Sequence, residues 1–228
     1  MKIFITLLFL LMTPALQAEQ LMSEGILQAY WKAEWNDDAT MNTPKLALRF
    51  FPATDSSLRD KVFDIRFKDQ KTALTFVIKN FKTLPDNFLR YKEWFTNQKG
   101  TLYLKNPEPY IECRSENYMA EIINFIPDFS VSFSDTTSYE DMAHCGYNGD
   151  RPFLTSYYLN PEYKIGYFNS EPGDNVAYVK TFNIRDRIVK ISTVNKQWIY
   201  AAVYDDTKPD RLGDRKGYVN TKYLTPFN

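Results

Sequence analysis

Hydrophobic and polar positions alternate in short runs along the first two thirds of the chain. Leu46, Leu48 and Phe50 face one way from Lys45, Ala47 and Arg49, and Phe63, Ile65 and Phe67 alternate with Asp64 and Arg66. Leu74, Phe76 and Ile78 repeat the pattern against Thr75, Val77 and Lys79, and Phe129-Ser-Val-Ser-Phe-Ser134 sets apolar residues on one face and serines on the other. A period of two is the signature of a half-buried strand. Sheets with one wet face are usually antiparallel, so an antiparallel sheet is expected here.

Helical spacing appears twice. Met119, Ile122, Ile123 and Ile126 fall at i, i+3, i+4 and i+7 behind Ser115 as a possible N-cap, and Pro127 marks a stop. Phe88, Lys92 and Phe95, with Tyr91 and Trp94 beside them, predict a shorter helix after Pro85-Asp86. The stretch from Ile26 to Trp35 fits either element. Strands flanking two helices give an α+β domain over 19–160.

Beyond a turn signal at Asn160-Pro161-Glu162, short β segments recur at close spacing. They are Val176 to Lys180, Asp186 to Ile191, Gln197 to Val203 and Gly217 to Val219, followed by Asn220-Thr-Lys-Tyr-Leu224. Asn195-Lys196 reads as a hairpin turn, and Asp205 to Lys216 as a longer charged loop before Gly217. Five short strands with a terminal turn of helix predict a small barrel over 161–228. The fold class expected is therefore mainly β with some α.

Lys2 followed by the apolar run Ile3 to Met12 and by Thr13-Pro14-Ala15-Leu16-Gln17-Ala18 has the pattern of a secretory signal peptide, residues 1–18, with cleavage at about Ala18. A run of ten residues is too short for a transmembrane span, which needs about twenty. No later stretch is long and apolar enough either, so a soluble periplasmic protein without stable membrane insertion is expected. The full chain carries 28 basic and 28 acidic side chains, and losing Lys2 leaves 27 against 28. That balance argues against nucleic acid as a partner, since phosphate neutralisation requires a basic stripe. The only two cysteines, Cys113 and Cys145, are expected to form a disulfide in an oxidising compartment. It would close a loop of roughly thirty residues, worth about 3 kcal/mol by chain entropy.

The order and spacing of the C-terminal segments resemble the bacterial SH3 (SH3b) family. The resemblance rests on Glu171-Pro-Gly-Asp-Asn-Val-Ala-Tyr178, Asp186 through Ile191, Trp198 through Val203, and Gly217-Tyr-Val219 with Tyr223-Leu224, about the last quarter of the chain. The Asp205 to Arg215 insert departs from the short loop common in that family. The resemblance implies a binding module for peptides or peptidoglycan stems. Tyr167, Tyr178, Trp198, Tyr200, Tyr204, Tyr218 and Tyr223 are too many for so small a core, so some must reach the surface. Trp198, Tyr218 and Leu224 are assigned to the core, and Tyr178, Tyr200 and Tyr204 to the binding surface, with Tyr204 preferred if Trp198 faces inward. The insert adds Asp206, Lys208 and Arg211 as contact candidates, because long ordered loops are often functional.

The chemistry for catalysis is thin. His144 is the single histidine and is adjacent in the chain to Cys145, so a cell-wall cysteine peptidase would need Cys113 as nucleophile and His144 as base. Cys113 precedes the predicted helix, where a thiolate would be stabilised. The flanking Ile-Glu-Cys-Arg-Ser lacks the Asp-Cys-Ser-Gly pattern of such enzymes, and a disulfide would occupy the same sulfur. The ligand spacings of a zinc or calcium site are missing, as are a glycine-rich phosphate loop and a nucleophile elbow. The sequence therefore predicts no catalytic residues, no metal and no cofactor. It predicts an exported, non-enzymatic binding protein with a peptidoglycan peptide or another exported protein as partner, such as an immunity-type inhibitor of a wall-directed toxin. The cysteine peptidase is the alternative.

Overall fold

The computed structural model of the 228-residue chain describes residues 20–32, 43–59, 61–112, 115–131, 153–208 and 210–227. These form two β systems, with two helices beside the first. No helix among the described residues is long and apolar enough to cross a membrane.

The first system comprises β1 (Gln20–Lys32), β2 (Lys45–Pro52), β3 (Phe63–Arg66), β4 (Phe95–Glu112) and β5 (Ser115–Pro127). Strand β1 pairs with both β2 and β4, and β5 with both β3 and β4, so the sheet closes in the order β1-β2-β3-β5-β4. Helices α1 (Gln70–Asn80) and α2 (Asp86–Arg90) join β3 to β4. A closed five-stranded barrel of this kind assigns no function by itself. Alternating residues of β1 and β2, among them Leu27, Ala29, Leu48 and Phe50, fill the interior with Phe63, Leu102 and Leu104. The alternation read in β2 and β3 thus marks strands.

Several sequence expectations are overturned. The segment expected to be a helix over 115–127 is β5, an antiparallel partner of β4 along most of its length. Its isoleucines are β-branched and favour the pleated surface. One register irregularity, between Ile122 and Asn124, shifts the alternation at Ile123, and Ile123 and Ile126 are left exposed. Conversely, the alternation at Leu74, Phe76 and Ile78 lies in α1. The Asp69 carboxylate accepts from the Thr72 amide at 2.7 Å and caps the helix, which buries Ala73, Val77 and Asn80 and leaves Ile78 exposed. The β3–β5 pair is parallel, so the sheet is not wholly antiparallel. Phe129 to Val131 do not continue a strand, because Asp128 accepts from the Ser130 amide and hydroxyl and turns the chain; the rest of that run lies outside the described residues. The ambiguous stretch at Ile26 is strand as far as Lys32.

The short helix after Pro85 is present as α2 but stops at Arg90. Lys92 and Trp94 follow with φ of 55° and 69°, left-handed backbone that ends a helix and turns the chain into β4 at Phe95.

The second system is a seven-stranded sheet of β6 (Ser156–Leu159), β7 (Gly166–Asn169), β8 (Tyr178–Phe182), β9 (Ile188–Thr193), β10 (Trp198–Tyr204), β11 (Leu212–Asn220) and β12 (Leu224–Phe227). Its order is β12-β6-β9-β10-β11-β7-β8, with a 3-10 turn at Thr221–Tyr223 before β12. Strand β6 belongs to this sheet although it precedes Asn160, where the sequence places the boundary. Leu159, Phe168, Phe182, Ile188, Ile199, Ala201, Val219 and Leu224 form its core. The two systems meet through a separate cluster of Tyr30, Phe95, Phe153, Leu154 and Val189.

Candidate functional site

Four tyrosines from four segments of the second sheet line up on its surface. Tyr163 closes a turn in which its amide donates to the Asn160 carbonyl at 2.9 Å and the Asn160 side chain accepts from the Glu162 amide at 3.0 Å. Tyr223 ends the 3-10 turn, which Asn220 caps by accepting from the Lys222 amide at 3.1 Å. The two turns are tied together: the Asn160 amide donates to the Tyr223 carbonyl at 2.8 Å and its side chain to the Lys222 carbonyl at 3.2 Å. Residues sixty positions apart are thereby held with ring centroids 4.7 Å apart.

The row continues along the β7–β8 hairpin. Phe168 and Phe182 point inward with tilted rings whose centroids are 5.1 Å apart, so Tyr167, adjacent to Phe168, is turned outward. Its ring lies 6.0 Å from Tyr223 and 5.1 Å from Tyr178. Tyr163 and Tyr223 rest partly on the sheet core, whereas Tyr178 is 64 % exposed. A tyrosine row of this kind offers apolar ring surface with hydrogen-bonding tips, suited to an extended peptide. One flank is charged. Lys222 Nζ donates to Asp174 at 3.2 Å and lies 5.2 Å from the Tyr223 ring centroid, and Asp174 raises its affinity for a proton. Asn220 also donates to Asp174, at 3.3 Å, which pins the β7–β8 loop to the 3-10 turn.

The sequence-predicted site residues fall in three places. Tyr178 is in the row. Tyr200 lies opposite Tyr218 on the neighbouring strand, 5.0 Å ring to ring, and both are half-buried. Tyr204 is half-buried too: it packs on the inter-sheet cluster, and the Arg187 guanidinium lies 4.8 Å from its ring centroid. Trp198 and Leu224 are buried as expected, and Tyr218 only partly.

Tyr204 and Asp206 line a polar groove of about 590 Å³ with Tyr158, Arg185, Asp186 and Arg215. Within it Arg215 pairs with Asp186 and, at its edge, Lys208 pairs with Asp214 at 3.7 Å. The charged insert is shorter than the sequence suggests, because β11 begins at Leu212 and Tyr204 pairs with Leu212 across it. Asp205 accepts from the Thr207 hydroxyl and amide, which hold its carboxyl below the ordinary carboxylate range. Arg211, at φ 59°, donates to the Asp206 carbonyl. Asp206, Lys208 and Arg211 thus close a tight turn and do not join the tyrosine row.

Sequence reasoning counted Tyr167 and Tyr223 among the surplus aromatics without placing them, and passed over Tyr163. Asn160, three residues before Tyr163, and Asn220, three before Tyr223, are the signals that mark both tyrosines as closing turns. Cys113, His144 and Cys145, and the segment 1–18, lie outside the described residues. Comparison of the chain with family models, with curated proteins and with solved structures found no match.

Proposed function

We propose that the protein is an exported, non-enzymatic binding protein whose C-terminal sheet is an SH3-type barrel and whose tyrosine row receives an extended peptide. The strand order β12-β6-β9-β10-β11, with a helical turn just before the last strand, supports the barrel reading. The hairpin β7–β8, inserted between β6 and β9, lies beside that turn and supplies half of the row. The observation that carries the functional reading is the convergence of Tyr163, Tyr223, Tyr167 and Tyr178. A peptide laid across them would bury ring surface and find hydroxyl partners without requiring any catalytic group. The partner is a cell-wall stem peptide or a segment of another exported protein, the latter including a toxin that the protein would inhibit.

Co-sedimentation with purified peptidoglycan sacculi, alongside pull-down from periplasmic extract, tests the reading. Retention in either arm that is lost in the Tyr167→Ala/Tyr178→Ala variant is the expected result, and the arm identifies the partner class. Retention by neither leaves the row without a ligand and overturns the proposal. Thiol titration of the folded, oxidised protein separates this reading from the peptidase alternative, which requires Cys113 as a free thiol.

A further inference from the structure

A second groove lies on the first barrel, between α1 and β5, with a volume of about 770 Å³. It exists because β3 is short. Parallel pairing of β3 with β5 ends at Arg66 and Glu121, yet β5 runs on from Ile122 to Pro127 with β4 as its only strand partner. Among the described residues, no backbone hydrogen bond from this half of β5 reaches α1 or any segment other than β4. The outer edge of an otherwise closed barrel is therefore open for six residues. Unpaired N–H and C=O groups along a strand edge are a template for one more strand.

The groove's chemistry indicates which strand. Phe76 of α1 and Phe125 of β5, with ring centroids 6.2 Å apart, make an apolar wall. Lys68, Lys71 and Lys79 line the groove, are exposed, and have no carboxylate partner among the described residues. The local acids are already engaged: Asp69 caps α1 and Glu121 pairs with Lys105 at 3.1 Å. Arg66, the remaining cation of the lining, pairs with Glu108 at 2.9 Å.

We propose that this groove binds an acidic, extended peptide segment, which adds as a strand along Ile122–Pro127 and places its carboxylates on Lys68, Lys71 and Lys79. Its apolar side chains, alternating with the acids, pack on the half-buried Phe76, behind which Phe125 belongs to the core. The open backbone edge favours a peptide over a nucleic acid, which has no matching amide row. This site lies on the opposite β system from the tyrosine row and does not depend on it.

The test uses a fluorescein-labelled hexapeptide of alternating glutamate and valine, followed by anisotropy with the full chain. Saturable binding is expected, weakened roughly tenfold or more in Lys71→Glu/Lys79→Glu and unchanged in Tyr178→Ala. The same peptide N-methylated at alternate amides keeps its charge but cannot pair along a strand, and it should bind at least roughly tenfold more weakly. Equal binding of the N-methylated peptide, failure of the glutamate–valine peptide to bind, or displacement of that peptide by a single-stranded oligonucleotide but not by its unlabelled form would each overturn the proposal. Because the N-methylation arm alters only the probe, its outcome does not depend on how any variant folds.

Discussion

The Glu93 carboxylate of the first β system lies 2.7 Å from the Lys190 ammonium of the second, in a pair whose side chains are 11 % and 7 % exposed. Glu93 also accepts from the Thr193 amide at 3.0 Å and from the Thr193 hydroxyl. It stands between two left-handed residues, Lys92 and Trp94, whose backbone turns the short loop towards β9. Breaking such a pair from one side leaves a buried charge uncompensated, at a cost of about 3–5 kcal/mol. Glu93→Ala should therefore lower the urea midpoint by a corresponding amount, and Glu93→Leu/Lys190→Met should recover most of it, because replacing both charges removes the desolvation penalty. If the double variant is no more stable than Glu93→Ala, the pair is not what joins the two sheets.

Tyr157 of β6 reads the same junction at alkaline pH. Burial, and then the nearby Glu93 carboxylate, push its phenol well above the ordinary tyrosine range. The folded state thus holds the proton more tightly than the unfolded chain. Its contribution to stability is complete below the unfolded value near pH 10.0 and is lost as pH rises above it towards the folded value. The stability difference between wild type and Tyr157→Phe should be constant up to about pH 10 and then move against the wild type. Thermal melts of both proteins across that range measure it, and a flat difference would contradict the assignment.

Strands were legible in the sequence where one face is buried and the other is not, as in β3, where Phe63 and Ile65 are buried while Asp64 is partly exposed and Arg66 exposed. Alternation misled in α1, and helical spacing misled in β5. In α1 the deciding residue is Asp69, whose cap starts a helix that the alternation does not reveal. In β5 the deciding partner is the preceding strand β4, which pairs with it from Glu112 and Ser115 onward and holds the segment extended despite its helical spacing. The tyrosine row was half legible for a related reason. A surplus of aromatics in a small sheet announces surface rings, but their neighbourhood depends on two asparagine-built turns meeting across sixty residues.

Acid should loosen the turn after β10. The Thr207 hydroxyl and amide hold the Asp205 carboxyl below its ordinary value of 3.8, so the folded state favours the carboxylate. The contribution is present above the unfolded value and is lost as pH falls through the lower folded one. The Thr207 amide resonance should titrate with a midpoint below 3.8, and in Asp205→Ala that titration should vanish. A midpoint at or above 3.8 would show that the hydrogen bonds are not retained in solution.

The tyrosine row should separate cleanly into a removable surface and a support that cannot be trimmed. Tyr178 is 64 % exposed, so Tyr178→Ala should change stability by no more than about 0.5 kcal/mol while weakening peptide retention. Phe168, fully buried behind Tyr167 and packed against Phe182, is a different case: Phe168→Ala should cost about 3–5 kcal/mol. Gly166 is constrained from the other direction, since a Cβ there would collide with the Phe182 ring, which has no free space in the core. Gly166→Ala should cost about 1–3 kcal/mol through displacement of that ring. The same shift moves β7 beneath Tyr167, so peptide retention should fall in Gly166→Ala at a temperature where the protein is still fully folded. Chemical denaturation paired with the sacculus assay reads both effects. Full retention in folded Gly166→Ala would mean that the position of Tyr167 does not matter to the ligand.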